Sequence, residues 1–164
     1  MANIPTKIFR GKAKDKNDYY FLSQAFPEKC KNGFIYGQLI IDERQNRYYI
    51  CVSIIATMNC TIANGTVTVI EVIPETIGKD VCLADKNSRK IFEHDVCRVC
   101  LGIDTFYIGR IYYDERVAAF GIDYGNGKCN LLSDIIIAKG IDTWIEVIGN
   151  IHDNPNLMGA EYIK

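Results

Sequence analysis

Residues Asp95–Cys100 read DVCRVC, two cysteines with two residues between them. That spacing supplies half of a zinc site or the reactive pair of a dithiol redox centre. Zinc takes four ligands, and the chain offers no second CxxC and no Cys/His pair. The surrounding stretch DVCRVCLG is β-prone, and side chains on a strand alternate between faces. Cys97 and Cys100 are three apart, so they point to opposite faces unless a bulge at Arg98–Val99 brings both sulfurs to one side. A metal or redox protein using Cys97 and Cys100 is therefore only the third reading of function. His94 and His152 are the only histidines. His152 beside Asp153 has the composition of a general base, but neighbours in a turn usually satisfy one another.

Two other groups of residues have the types that chemistry needs. Glu75, Asp85, Glu93 and Asp95 could ligate a hard divalent ion. They could equally do turn work: Asp85 and Asn87 capping a turn through side-chain to backbone bonds, Glu93 and Asp95 accepting from turn amides or pairing with Lys90 and Arg98. Turn work is the expected role. The second group interleaves cations and aromatics: Arg89, Arg98, Arg110, Tyr112 and Tyr113. On one face of a small β-domain such residues stack bases and meet phosphates, but they also make protein interfaces. The neighbouring Asp104, Asp114 and Glu115 weigh against nucleic acid. No P-loop, GxSxG, HExxH or EF-hand loop is present, so no enzyme, cofactor or bound metal is expected.

The elements that must position these groups read as mainly β: short antiparallel strands forming hairpins and a small SH3-like barrel or sandwich, with few short helical turns. GFIYGQLIID and RYYICVSIIA flank the polar DERQN as a hairpin. Asn64-Gly65 in NCTIANGTVTVIEVI predicts a second hairpin turn, because Asn-Gly supplies positive φ angles. Both faces of Thr66–Ile73 are largely apolar, which predicts a strand covered on both sides. Pro74 ends that strand and opens a helical turn at Pro74-Glu75-Thr76. Further strands are predicted at VCRVCLG, FYIGRIYYD, VAAFGIDY, DIIIA and TWIEVIGNI, with one short helix in LSQAFPEKC before Pro27.

At 164 residues, 48% apolar and 24% charged, the chain suits a single compact unit, 1–164, with an N-terminal hairpin region at 1–78 and a C-terminal small β-barrel at 79–164. The net charge of −1 gives no global pull toward nucleic acid or anionic membranes. Residues 1–20 nevertheless carry five basic against two acidic residues, +3, and residues 101–164 five against nine, −4. Opposite charge of that kind could pair within one molecule or between subunits, but ordinary solvated surface is the expected reading. No apolar leader is visible and no apolar run approaches a membrane span, so a soluble cytoplasmic protein is expected. The seven cysteines, odd in number and irregularly spaced, read as small buried apolar residues and not as a disulfide framework.

VIPETIGKDVCLADKNSRKIFEHD, Val72–Asp95, resembles the central motif of the YopX-like family of phage and prophage proteins. In that family Pro-Glu-Thr leads to a Gly-Leu-x-Asp-x-Asn-Gly turn and then to Ile-aromatic-Glu-Gly-Asp. Pro74, Glu75, Thr76, Leu83, Asp85, Asn87, Ile91, Phe92, Glu93 and Asp95 fit it. IFRGK at Ile8–Lys12, the Tyr36-Gly37 step and IEVIGNIHDNPNLM at Ile145–Met158 resemble the family's opening, aromatic-Gly step and closing signature. Cys82, Ser88 and His94 stand where the family has glycine. Ser88 is expected to avoid positive φ; Cys82 and His94 are expected to alter the local backbone or its packing. The resemblance implies a mainly β phage or prophage accessory protein without enzymatic activity or catalytic residues, one that assembles with itself or binds a protein partner. A nucleic-acid-binding barrel is the alternative, and no membrane association is implied.

Overall fold

The computed structural model describes residues 7–56, 65–101, 106–125, 127–137 and 143–159. The chain divides into two compact units, Met1–Lys79 and Asp80–Lys164.

The first unit holds β1 (Phe9–Lys12), α1 (Lys16–Ala25), β2 (Cys30–Lys31), β3 (Phe34–Asp42), β4 (Arg47–Ala56), β5 (Gly65–Glu71) and the start of β6 (Gly78–Ala84). Its antiparallel strands lie in the order β5-β4-β3-β1, with β2 beside β3 and Gly78 and Lys79 beside β1. The β3–β4 hairpin turns where expected. Asp42 Oδ1 accepts from the Arg44 and Gln45 amides, and Asn46 takes the left-handed conformation that Asn tolerates. β5 pairs with β4 from Gly65 opposite Ala56. Asn64 and the arm before it lie outside the described residues.

α1 begins six residues before the expected Leu22. The signal is Asp15, whose side chain caps the helix by accepting from the Asn17 amide. Leu22 anchors the helix on a core of Ile35, Ile50, Val52 and Val72. β5 departs from expectation: Val72 beyond its end is buried, but Val69 and Ile73 are exposed, so only one face of the segment is covered. Pro74–Thr76 forms a 3-10 turn, with Pro in the first turn where its missing N–H costs nothing.

The second unit adds β7 (Lys90–Phe92), β8 (Asp95–Leu101), β9 (Phe106–Asp114), β10 (Ala119–Gly125), β11 (Lys128–Leu131), α2 (Leu132–Ile137) and β12 (Thr143–Asn150). β6 pairs with β7 at Asp80 opposite Phe92 and Ala84 opposite Lys90, with an irregularity between. The other five strands form one antiparallel sheet in the order β11-β10-β9-β8-β12. The mainly β, antiparallel hairpin and sandwich reading holds; among the described residues the sheet does not close into the small barrel given as the other form. Its core face carries Cys97, Val99, Ile111, Ile122 and Val147, packed with Val81, Ile91, Leu132 and Ile135.

Two elements differ from the sequence reading. DIIIA was expected as a strand, yet Leu132–Ile137 is helical. Leu132 and Ile135, three apart on a helix, are both buried in the core, so tertiary packing overrides the β-preference of an isoleucine run. β11 was not expected, because KCNL has no β-prone residue pair. It forms because the Gly-rich turn after β10 folds it back, with Gly125 and Gly127 both at positive φ.

Candidate functional site

The motif residues build a set of turns. At the first, Thr76 is buried; its hydroxyl donates to the Ile73 carbonyl (2.7 Å) and accepts from the Lys12 amide (2.9 Å). Glu75 on the same turn is exposed. At the second, Asp85 is buried and makes three bonds. Its Oδ1 accepts from the Asn87 and Arg89 amides, each at 2.8 Å, and its Oδ2 accepts from the Val147 amide of β12 at 3.1 Å. The Lys86 amide also donates to the Ile145 carbonyl (2.8 Å). One carboxylate thus shapes the turn and joins it to β12. At the third, fully buried Asp95 accepts from the Phe92 amide (2.9 Å), and Glu93 accepts from the Tyr113 amide (3.3 Å).

Cys82, Ser88 and His94 all have positive φ, at 62°, 62° and 70°. Ser88 does not avoid the left-handed region, as had been expected. Cys82 and His94 also sit in the conformation that favours glycine, so the substitutions leave that conformation in place. Ser88→Gly is expected to stabilise the second unit by ~0.5–1 kcal/mol in urea unfolding, the relief of the left-handed penalty less the extra freedom of the unfolded chain.

The paired cysteines lie on β8, both buried, and the β8–β9 register runs without a break from Val96 to Cys100. No bulge joins the two sulfurs: Cys97 faces the core and Cys100 the opposite side. Among the described residues no group of three His, Cys, Asp or Glu is placed to hold a metal ion. His152 packs edge-on against His94, ring centroids 5.3 Å apart. The Asp153 carboxylate beside it accepts from the Asn150 side-chain Nδ2 at 2.7 Å.

The cation–aromatic group is divided by strand parity. Arg98 pairs with Ile108 on one side and Glu146 on the other, and Arg110 pairs with Val96 and Asp123. These residues share the face turned away from the core with Tyr112, Phe106 and Trp144. Tyr113 lies on the core face, its ring 5.1 Å from Phe120. Arg89 stays in the Asp85 turn. Sequence reasoning missed Trp144 and Phe106, and it counted Lys86 among the interleaved cations without its aromatic partner. Phe106 and Trp144 lie 5.7 Å apart, and Lys86 Nζ sits 3.8 Å over the Trp144 ring. Only the cross-strand register brings them together.

The charges on this face are largely paired. Lys86 and Arg98 converge on Glu146 at 3.2 and 3.7 Å, and Arg110 meets Asp123 at 3.1 Å. Three cations against two carboxylates leave one unit of positive charge. A hydrogen bond with Cys129, followed by burial, pushes the Tyr112 hydroxyl above its ordinary pKa. At the β9–β10 turn, Arg116 holds the Asp114 carboxyl below the usual carboxylate range. No helix among the described residues is long and apolar enough to cross a membrane.

Among solved structures, the crystal structure of protein EF1440 from Enterococcus faecalis is similar over 93% of this chain and 97% of that one, with 19% identity and a TM-score of 0.50. That likeness concerns the fold alone. No curated protein matches the sequence. The YopX protein family matches residues 8–159, nearly the whole length. The chain therefore belongs to the YopX protein family.

Proposed function

We propose that this is a non-enzymatic accessory protein of phage or prophage type that acts in the cytoplasm by assembling with itself or with a protein partner. The observation behind this reading is the β3–β4–β5 sheet of the first unit. Ile40, Ile41 and Val69 are 42%, 51% and 42% exposed. Residues Gln38–Asp42 of β3 and Gly65–Ile70 of β5 each have β4 on one side and, among the described residues, no strand on the other. Exposed apolar side chains on a sheet with open edges are the usual ingredients of strand addition and subunit packing. Light scattering over a concentration series is expected to give a mass above the monomer, lowered by Ile41→Lys with Val69→Lys. A monomer at every concentration would overturn the reading.

The face carrying Arg98, Arg110, Tyr112, Phe106 and Trp144 supports nucleic-acid binding as the second reading. Its largely paired charges leave little to attract phosphate. Fluorescence anisotropy with labelled single-stranded and duplex DNA and RNA is therefore expected to show no tight binding even at low salt. Tight binding that fades steeply with salt would put nucleic acid first and make Arg110 the first residue to replace.

A further inference from the structure

We propose that the first unit binds a small carboxylate carrying one apolar group, in a pocket where the chain just past β5 meets the chain just past β1. Val72 makes the junction. Its amide donates to the Tyr48 carbonyl of β4 at 2.8 Å, and it also forms an antiparallel bridge with Ala13. On either side of that bridge the Lys14 amide donates to the Glu71 carbonyl and the Ile73 amide to the Lys12 carbonyl, each at 2.9 Å. The outer strands of the first sheet are thus joined at one end. A mouth formed by joined strand ends is a common place for a ligand. Here it is a pocket of about 230 Å³. At ~30 Å³ per water it has room for about eight waters, or for a ligand with a similar number of non-hydrogen atoms.

Two cations line the pocket, and one carboxylate positions them. Lys14 Nζ donates to Glu71 Oε1 at 2.7 Å, and Arg47 Nε lies 3.9 Å from the same oxygen. The bond from Lys14 holds the Glu71 carboxyl below the usual carboxylate range, so Glu71 is ionised at neutral pH. Two cations against one carboxylate leave one unit of positive charge in the lining. Asp42, opposite Arg47 on β3, does not line the pocket and is committed to the Arg44 and Gln45 amides of its own turn. An ammonium offers three N–H donors and a guanidinium five, so Glu71 leaves both cations with donors for a second acceptor. Both are exposed and within reach of a ligand. Val72, Ile73 and Pro74 line the same pocket and give a hydrocarbon group something to pack against. A carboxylate with a short branched hydrocarbon matches both parts of the lining. Phosphate would match the cations alone. The same chemistry is found in a free branched acid and at the C-terminus of a peptide ending in leucine.

The test is ligand-detected NMR on the full-length protein, which reads weak binding whatever the state of assembly. The probes are 4-methylpentanoate, the peptide acetyl-Gly-Gly-Leu, the amide of each, and inorganic phosphate. At least one of the two carboxylates is expected to bind with a Kd of about 1 mM, the scale for so small a ligand. Its amide, which has lost the charge, is expected to bind about tenfold more weakly. Lys14→Gln with Arg47→Gln is expected to cost a similar factor; both positions are exposed, and unchanged circular dichroism checks the fold. Whichever carboxylate binds more tightly identifies the source, free acid or peptide end. The proposal is overturned if neither carboxylate binds at about ten times that concentration. It is equally overturned if phosphate or the amide binds as tightly as the acid, or if the double variant binds as the wild type does. None of these results touches the assembly reading, which light scattering tests by itself.

Discussion

Asp85→Ala is expected to destabilise the second unit by roughly 3 kcal/mol or more, the cost of leaving several buried donors without an acceptor. The Asn87, Arg89 and Val147 amides all lose their partner at once. No nearby carboxylate replaces it, and the alanine methyl fills less space than the lost group. Asp85→Asn keeps one carbonyl oxygen but turns an NH2 group toward one set of donors, so an intermediate loss is expected. Urea unfolding followed by the fluorescence of Trp144, the only tryptophan, reads this unit directly, since Trp144 lies on the same strand as Val147. A loss below about 0.5 kcal/mol, the ordinary range for surface substitutions, would show that the three bonds contribute nothing net.

Gly37→Ala is the second large effect. A Cβ at Gly37 would stand 2.0 Å from the Cys51 carbonyl oxygen and 2.9 Å from its carbon. Those are backbone atoms at the centre of β4, where Ile50 and Cys51 are buried, so no side chain can swing aside. Overpacking of this kind costs on the order of 3 kcal/mol. Hydrogen exchange in β3 and β4 is expected to lose most of its protection, while the Trp144 transition moves less. Gly33→Ala supplies the contrast. Gly33 has φ of +79° but no atom within 4 Å of a built Cβ, so only the left-handed penalty of about 1 kcal/mol applies. Equal losses at the two positions would mean that the close approach of β3 to β4 is softer than described.

The parts of the fold that could be read from sequence are those fixed by local rules. Alternation on a strand was enough to separate Cys97 from Cys100. The same rule separates adjacent Tyr112 from Tyr113, although both had been assigned to one surface. Pro74 marked its own 3-10 turn. What could not be read depends on register or on packing. Trp144 joins Arg98 and Phe106 only because β12 lies beside β8, and the extra residue at Ile148 resets the ladder before Asn150. The isoleucines after Leu132 look like a strand until the core calls for a helix. Arg89 looked like part of a binding surface because the Asp85 turn that holds its amide cannot be seen in a list of charges.

The left-handed residues have a consequence for how this chain can change. Cys82, Ser88, His94 and Ala118 all hold φ between 51° and 70° without being glycine. At roughly 1 kcal/mol each, they take up about 4 kcal/mol, a large share of the margin a typical domain has. A chain that still folds with this load has drawn reserve from elsewhere, and it has less left for further drift. Placing glycine at the four positions would restore part of that reserve, less the extra freedom glycine gives the unfolded chain. The restored chain should then accept destabilising core substitutions with a smaller loss of folded protein than the present chain shows.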